Sequence, residues 1–323
     1  MGLIRADDVR GLAELFREGE IKRIADRLHL SSRQRILSAW EHVDSDRSNW
    51  WDLKEVTQRW NRLITGNPSL DYQTYVTKKY FSNSRKLKAA SIGCGTGAKE
   101  MMWAATGKYY AIEAYDISAP RIQRAVELAE KSKWKDKVNF SVGDAFQLEL
   151  PPGSLDVVIF DNSLHHLSPL KPIVEKARNW LGDRGILVLN EYVGPDRFQW
   201  TDEQVEITNA VLRILPPELR VMENGRIKER MERHGSLAMR LNDPSEAAES
   251  STLLKEVERY FRIVELKMYG GTILANLFKG IAHNFQGNNA ETRKWVALAF
   301  TIEDRLLEIQ TIPSDYVFAV LKK

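Results

Sequence analysis

From about Lys86 onward, short apolar runs alternate with amphipathic stretches, and this alternation confines the chain to a sheet with helices packed on it. The runs are Leu87 to Ile92, Tyr109 to Tyr115, Val138 to Val142, Val157 to Phe160 and Ile186 to Asn190. Strand followed by helix followed by strand specifies parallel βαβ units, because a parallel partner needs a crossover long enough to hold a helix. Two later runs, Tyr260 to Leu266 and Tyr316 to Leu321, flank a helical stretch from Thr272 to about Gln310 and bring the expected strands to seven. The spacing therefore predicts an α/β fold with a seven-stranded, mostly parallel sheet.

The flanking segments have a different texture. Leu12, Leu15 and Phe16, then Ile21, Ile24 and Leu28, recur at three- and four-residue steps, so residues 5 to 65 read as helical, and Gly66-Asn67-Pro68 marks a turn. The expected organisation is an N-terminal helical region over 1–85 and a sheet domain over 86–323. Helical insertions are expected at about 198–257, broken by Pro216-Pro217 and Pro244, and at about 271–312. Insertions of that length usually build a substrate cap. Composition excludes several classes of protein. One cysteine, Cys94, among 323 residues rules out an internal disulfide framework and a cysteine-based zinc cluster. Forty-seven Lys and Arg against 44 Asp and Glu, with the signs mixed along the chain, leave no basic stripe for nucleic acid. With no signal-like N-terminus and no apolar run of ~20 residues, the expectation is a cytoplasmic chain with no membrane insertion.

The first expected strand runs into Ser91-Ile92-Gly93-Cys94-Gly95-Thr96-Gly97, and Ala98-Lys99-Glu100-Met101 can begin a helix. Such a glycine loop lets the backbone approach a ligand at the carboxyl edge of the sheet. On its own it also fits G-x-G-x-x-A, a dinucleotide site. Asp116 ends the second strand, where a carboxylate can accept both hydroxyls of an adenosine ribose. Gly143-Asp144-Ala145-Phe146 follows the third strand, and Asp156-Val157-Val158-Ile159-Phe160-Asp161-Asn162-Ser163-Leu164-His165-His166-Leu167 contains the fourth.

This series resembles the class I S-adenosylmethionine-dependent methyltransferases, especially those acting on small molecules, over about residues 86 to 195. The late strand pair is similar to that fold's antiparallel ending. The resemblance implies a Rossmann-like sheet with S-adenosylmethionine as cofactor. By the same resemblance Gly93, Gly95 and Gly97 would line its methionine part and Asp116 would hold the ribose. Asp144 would face the adenine amino group with Ala145 or Phe146 against the ring, and Asp161 is placed with the cofactor too. The chain departs from the family pattern at Ser91, since relatives commonly carry an acid two positions before the first glycine; Glu100 is the candidate to support the loop instead.

In an open parallel sheet, ligands bind beyond the carboxyl ends of the strands, so Asp161 to His166 and Glu191 to Pro195 should face the transferred methyl. Methyl transfer needs in-line alignment and, for a hydroxyl acceptor, removal of a proton. His165, His166 and Glu191 are the catalytic candidates, against a packing or capping role for the histidines and a backbone hydrogen bond for Glu191. No compact metal-ligand spacing is present, and no metal is expected. The reading is methyl transfer to a hydroxyl or amine of a small-molecule or saccharide acceptor. The competing readings are an NAD-dependent oxidoreductase and a noncatalytic S-adenosylmethionine-binding module. The acceptor and the oligomeric state are not fixed by these residues.

Overall fold

The computed structural model describes residues 31–41, 48–83, 86–233, 235–236, 239–240, 243–287 and 289–323. The apolar stripe from Leu12 to Leu28 lies outside the described residues. Among the described residues, three helices, α1 (Ser32–Glu41), α2 (Lys54–Thr65) and α3 (Tyr72–Tyr80), precede the sheet. The chain then runs β1 (Leu87–Ile92), α4 (Ala98–Ala105), β2 (Tyr109–Asp116), α5 (Ala119–Glu130), β3 (Val138–Val142), β4 (Leu155–Asp161), α6 (Leu170–Trp180) and β5 (Leu181–Tyr192). After β5 come α7 (Asp202–Ile214), α8 (Leu253–Glu258), β6 (Arg262–Gly270), α9 (Leu274–Phe278), α10 (Ala290–Glu308) and β7 (Tyr316–Lys322).

The seven strands form one sheet in the order β3-β2-β1-β4-β5-β7-β6. Neighbours from β3 to β5 pair parallel, and β7 pairs antiparallel with both β5 and β6. The strand order reverses between β1 and β4, so the crevice for a ligand opens at the carboxyl ends of those two strands. The runs Val157 to Phe160 of β4 and Ile186 to Leu189 of β5 are apolar at every position because helices cover both faces. Val157 and Ile159 of β4 and Ile186 and Val188 of β5 pack on one face with Val56 of α2, Val76 of α3 and Phe278 of α9. Val158, Phe160, Leu187 and Leu189 pack on the other with Ile173, Val174 and Trp180 of α6 and Val257 of α8.

Several boundaries differ from the sequence expectation. Strand β5 begins at Leu181 and β6 occupies Arg262–Gly270, while Phe261, counted in the expected sixth strand, is a buried plug after α8. The region from Thr272 to Gln310 is two helices with a 3₁₀ turn over Ala282–Phe285 between them. The helices ahead of the sheet are tied to it. Glu303 of α10, fully buried, accepts from the amides of Gly271, Ile273 and Leu274 and pairs at 2.9 Å with Arg59 of α2. Trp50, also buried, packs on Trp60 and Tyr316 at ring separations of 4.7 and 5.2 Å, so this tryptophan anchors the N-terminal region to the core.

Candidate active site

The loop from β1 to α4 is held against the ends of β2 and β4. Gly93 and Cys94 donate their amides to the Tyr115 carbonyl, at 2.7 and 3.0 Å, and the Gly95 amide donates to Asp116 Oδ2 at 2.8 Å. Gly93 and Gly97 have φ of 74° and 82°, and a Cβ at either would meet a neighbour at 2.6 Å: Ser163 in the first case, the Phe140 ring in the second. A side chain is thus excluded twice over, by backbone conformation and by space. Gly95 differs, since its nearest obstruction is Arg121 at 3.4 Å, and the loop is open there for a ligand to approach.

Ser91 and Glu100 meet under this loop. Ser91 Oγ donates to Glu100 Oε1 at 2.6 Å, both residues are 1% exposed, and Glu100 Oε2 has no hydrogen-bond partner among the described residues. Burial pushes the Glu100 carboxyl up to about 7, against the opposing pull of the Ser91 hydrogen bond. The acid beneath this loop thus comes from the first turn of α4.

The other residues of the cofactor reading lie along the same edge. Asp116 uses Oδ1 to accept from the Ser118 amide at 2.9 Å, and each of its oxygens keeps a second lone pair. Asp144 accepts from the Phe146 amide at 3.0 Å, and its other oxygen faces the Arg33 guanidinium of α1 at 3.3 Å. Ala145 is buried and Phe146 is exposed. Asp161 is more occupied than the sequence suggests. It accepts from Asn190 at 2.8 Å, from Asn162 at 3.3 Å and from the Tyr72 hydroxyl, while Asn190 accepts from the Tyr269 hydroxyl at 2.6 Å. Burial holds the Tyr72 and Tyr269 hydroxyls well above their usual range, so they remain donors. That chain of bonds leaves Asp161 about one lone-pair position for a ligand.

Across the crevice, a 3₁₀ turn over Leu164–His166 brings both histidines to the end of β5. Glu191 is fully buried. Its Oε1 accepts from the amides of Ser163 and Leu164, at 2.9 and 2.8 Å, and its Oε2 accepts from His165 Nδ1 at 2.6 Å. A carboxylate can only accept, so Nδ1 carries the proton and Nε2 of a neutral His165 is free to take one. Burial acts to lower the pKa of His165, but the Glu191 hydrogen bond and charge, with Glu246 and Asp243 behind them, outweigh it and raise the net value. His166 moves the opposite way. Burial, then the charges of His165 and Arg121, hold it well below the ordinary histidine range, and its Nδ1 has no hydrogen-bond partner among the described residues. Its ring packs edge-on to Trp40 of α1 at 4.5 Å, and the Arg121 guanidinium lies over the same tryptophan. Helix α1 therefore touches both ends of the crevice, Asp144 through Arg33 and His166 through Trp40.

Sequence reasoning missed Glu246. This carboxylate lies 3.8 Å from His165 Nε2 and 3.7 Å from His166 Nδ1, with its side chain 23% exposed. Its position is fixed by two locked loops. Arg197 donates its amide to the Ala247 carbonyl at 2.7 Å and its guanidinium to the Pro244 carbonyl at 2.7 Å, while Ser250 Oγ donates to the Gly194 carbonyl at 2.9 Å. Arg197, Phe198 and Ala247 all have left-handed φ, a strained state for residues with a Cβ that persists only where the surroundings over-determine it. His165, His166 and Glu246 offer donor atoms within 4.8 Å of one another, a spacing at which a divalent cation could also sit.

Sheet order, the loop at the switch point and the acids at the ends of β2 and β4 together define a class I methyltransferase fold. Residues 90–189 match the family of methyltransferase domains. That match covers about a third of the chain and supports a class I S-adenosylmethionine-dependent methyltransferase with S-adenosylmethionine as cofactor. It is similar to 27-O-demethylrifamycin SV methyltransferase of Amycolatopsis mediterranei, with 32% identity over 102 residues covering 32% of this chain and 37% of that protein. It is also similar to erythromycin 3''-O-methyltransferase of Saccharopolyspora erythraea, with 27% identity over 105 residues covering 32% of this chain and 34% of that one. The matched segment spans about a third of the length of these curated relatives. Among solved structures, a geranyl diphosphate methyltransferase in complex with GPP and sinefungin aligns over 81% of each chain at 14% identity and a TM-score of 0.47. Among the described residues, no helix is long and apolar enough to cross a membrane.

Proposed function

We propose that this chain transfers a methyl group from S-adenosylmethionine to a hydroxyl of a small-molecule or saccharide-like acceptor, with His165 receiving the hydroxyl proton and Glu191 positioning it. The observation that carries the reading is the Glu191–His165 pair. One carboxylate caps the turn that bears the histidine and also fixes its tautomer, leaving a basic nitrogen at the carboxyl edge of the sheet. The residues present fit the cofactor. Gly95 is open to a ligand, Asp116 has lone pairs free for ribose hydroxyls, and Ala145 and Phe146 flank Asp144 as a surface for a purine face. In this reading Gly93, Gly95 and Gly97 line the methionine part and Asp161 closes that end. When bound, the cofactor supplies an electrophilic methyl on a sulfonium whose leaving group is neutral, so the protein needs to align the acceptor and remove one proton.

The names of both curated relatives support oxygen over nitrogen as the acceptor atom. Helix α1 and the segment around Glu246 close over the same crevice, which supports acceptor selection by the N-terminal region and the insertion near 198–257. Calorimetry with S-adenosylhomocysteine and NAD, followed by mass detection of methylated product, tests the reading. Binding of the homocysteine product without comparable NAD binding, and methylation of a hydroxyl, are the expected results. Tight NAD binding without S-adenosylhomocysteine binding overturns it; cofactor binding with no transfer to any hydroxyl leaves a binding module.

A further inference from the structure

Among the described residues none directs a hydrogen bond to the Glu246 carboxylate. Its near neighbours are the two imidazole nitrogens, at 3.8 and 3.7 Å; burial pushes the carboxyl up to about 7, against the opposing charges of His165, Lys279 and Arg197. A partly buried carboxyl with no donor among the described residues is costly, and here two strained loops hold it against the histidines. The distances identify what completes it. They exceed the 2.7–3.2 Å of a direct N–H···O bond, and they fall short of the roughly 4.6 Å that separates two partners of one bridging water. Two donors side by side fit the gap better than one donor in line.

We propose that Glu246 is an acceptor-binding residue and that the acceptor presents a 1,2-diol, one hydroxyl donating to His165 Nε2 and its neighbour donating to Glu246. Gauche oxygens of a diol stand about 2.9 Å apart by staggered geometry, close enough to reach two acceptor atoms 3.8 Å apart with near-parallel bonds. The unpartnered His166 Nδ1 lies on the same side and can complete the second hydroxyl. The assignment rests on His165 as the proton acceptor and adds what that reading leaves open, the chemical class of the acceptor. Glu246 also explains selectivity: a diol gains a hydrogen bond to this carboxyl that a lone alcohol cannot make.

The test uses the full chain saturated with S-adenosylhomocysteine and two probes, trans-1,2-cyclohexanediol and cyclohexanol, with binding read from the histidine ring resonances. The expected result is diol binding about ten-fold or more tighter than the alcohol, from one hydrogen bond to a charged group. Glu246→Gln should erase that preference while changing cyclohexanol affinity by less than about two-fold, and Glu246→Asp should keep part of it. Cofactor affinity and thermal melting check that each variant is folded. Equal affinity for the two probes, binding of neither, or a preference that survives in Glu246→Gln overturns the proposal. So does a stoichiometric metal ion in the purified chain that Glu246→Gln loses. Methyl ether formation is scored separately. Glu246-dependent diol binding without transfer would overturn the methyl-transfer reading and leave this one standing; transfer at equal rates to both probes would do the reverse.

Discussion

The two sides of the crevice are built in different ways. On the cofactor side, the residues from Ser91 to Asp144 come from one continuous run of strands and helices, and the partners of its two acids include backbone amides of that run: Gly95 and Ser118 for Asp116, Phe146 for Asp144. The acceptor side is gathered from Trp40, the turn after β4, the end of β5 and the loop at Glu246, and its partners are side chains far apart in sequence. Distant construction lets the acceptor side change one segment at a time, since altering the loop at 243–250 need not disturb the glycine loop.

If the two sides are independent, substitutions should separate catalysis from cofactor binding. The largest effect is expected on the acceptor side. His165→Ala should slow turnover by roughly 100- to 10,000-fold while S-adenosylhomocysteine affinity by calorimetry stays nearly unchanged. A parallel loss of cofactor affinity would break the separation. The native enzyme's rate should fall as pH drops through a midpoint above the ordinary 6.5, because protonated His165 cannot accept a proton. The groups facing that ring are Glu191 from β5, Asp243 and Glu246 from the insertion, and His166 beside it. Glu246→Gln removes one of the two nearest negative charges and should move the midpoint down.

On the other side, Asp116→Ala should weaken cofactor binding by about ten-fold or more, since each hydrogen bond to its charge contributes ~1.5–3 kcal/mol. The maximum rate at saturating cofactor should change much less. A smaller effect is expected beneath the loop. The folded pKa of Glu100 is about 7 against a reference value of 4.5, so native stability falls as pH rises between those values. Glu100→Gln should therefore gain stability over the native chain between melts at pH 5 and pH 8, by at most about 3 kcal/mol. An equal difference at both pH values would mean that Glu100 does not titrate in that window. The smallest effect should come from Arg33→Ala, which removes an exposed ion pair with Asp144 and should alter cofactor affinity by no more than a few-fold. A loss as large as that of Asp116→Ala would make α1 part of the cofactor side after all.

The same contrast governs what the sequence reveals. The parallel strands were legible because both faces are covered, so Val157 to Phe160 and Ile186 to Leu189 read as unbroken apolar runs. Strand β6 was misplaced because it is an edge strand with Val264, Leu266 and Met268 exposed on one face, while Phe261 just before it is deeply buried, which blurs the signal at its start. Gly93 to Gly97, Asp116 and Asp144 follow strand ends at short, regular offsets. Glu246 has no such cue: it stands in DPSEAAES near Glu249, and nothing local shows which of the two turns inward. Glu249 caps the backbone at Leu170, and only the pairing of Arg197 with the 244–247 carbonyls directs Glu246 to the histidines. Asp161 could be located but not its occupancy, because its donors Tyr72 and Asn190 come from other elements.

The Ser91–Glu100 pair constrains how this chain and its relatives can be interconverted. Restoring the strand acid by Ser91→Asp alone would set a second carboxyl where a hydroxyl now donates to Glu100 at 2.6 Å, in a spot closed to water, and two such groups cannot both ionise. Removing Glu100 first leaves the Ser91 hydroxyl buried with nothing to donate to. The two positions are therefore coupled through one buried hydrogen bond, and a change at either is felt at the other.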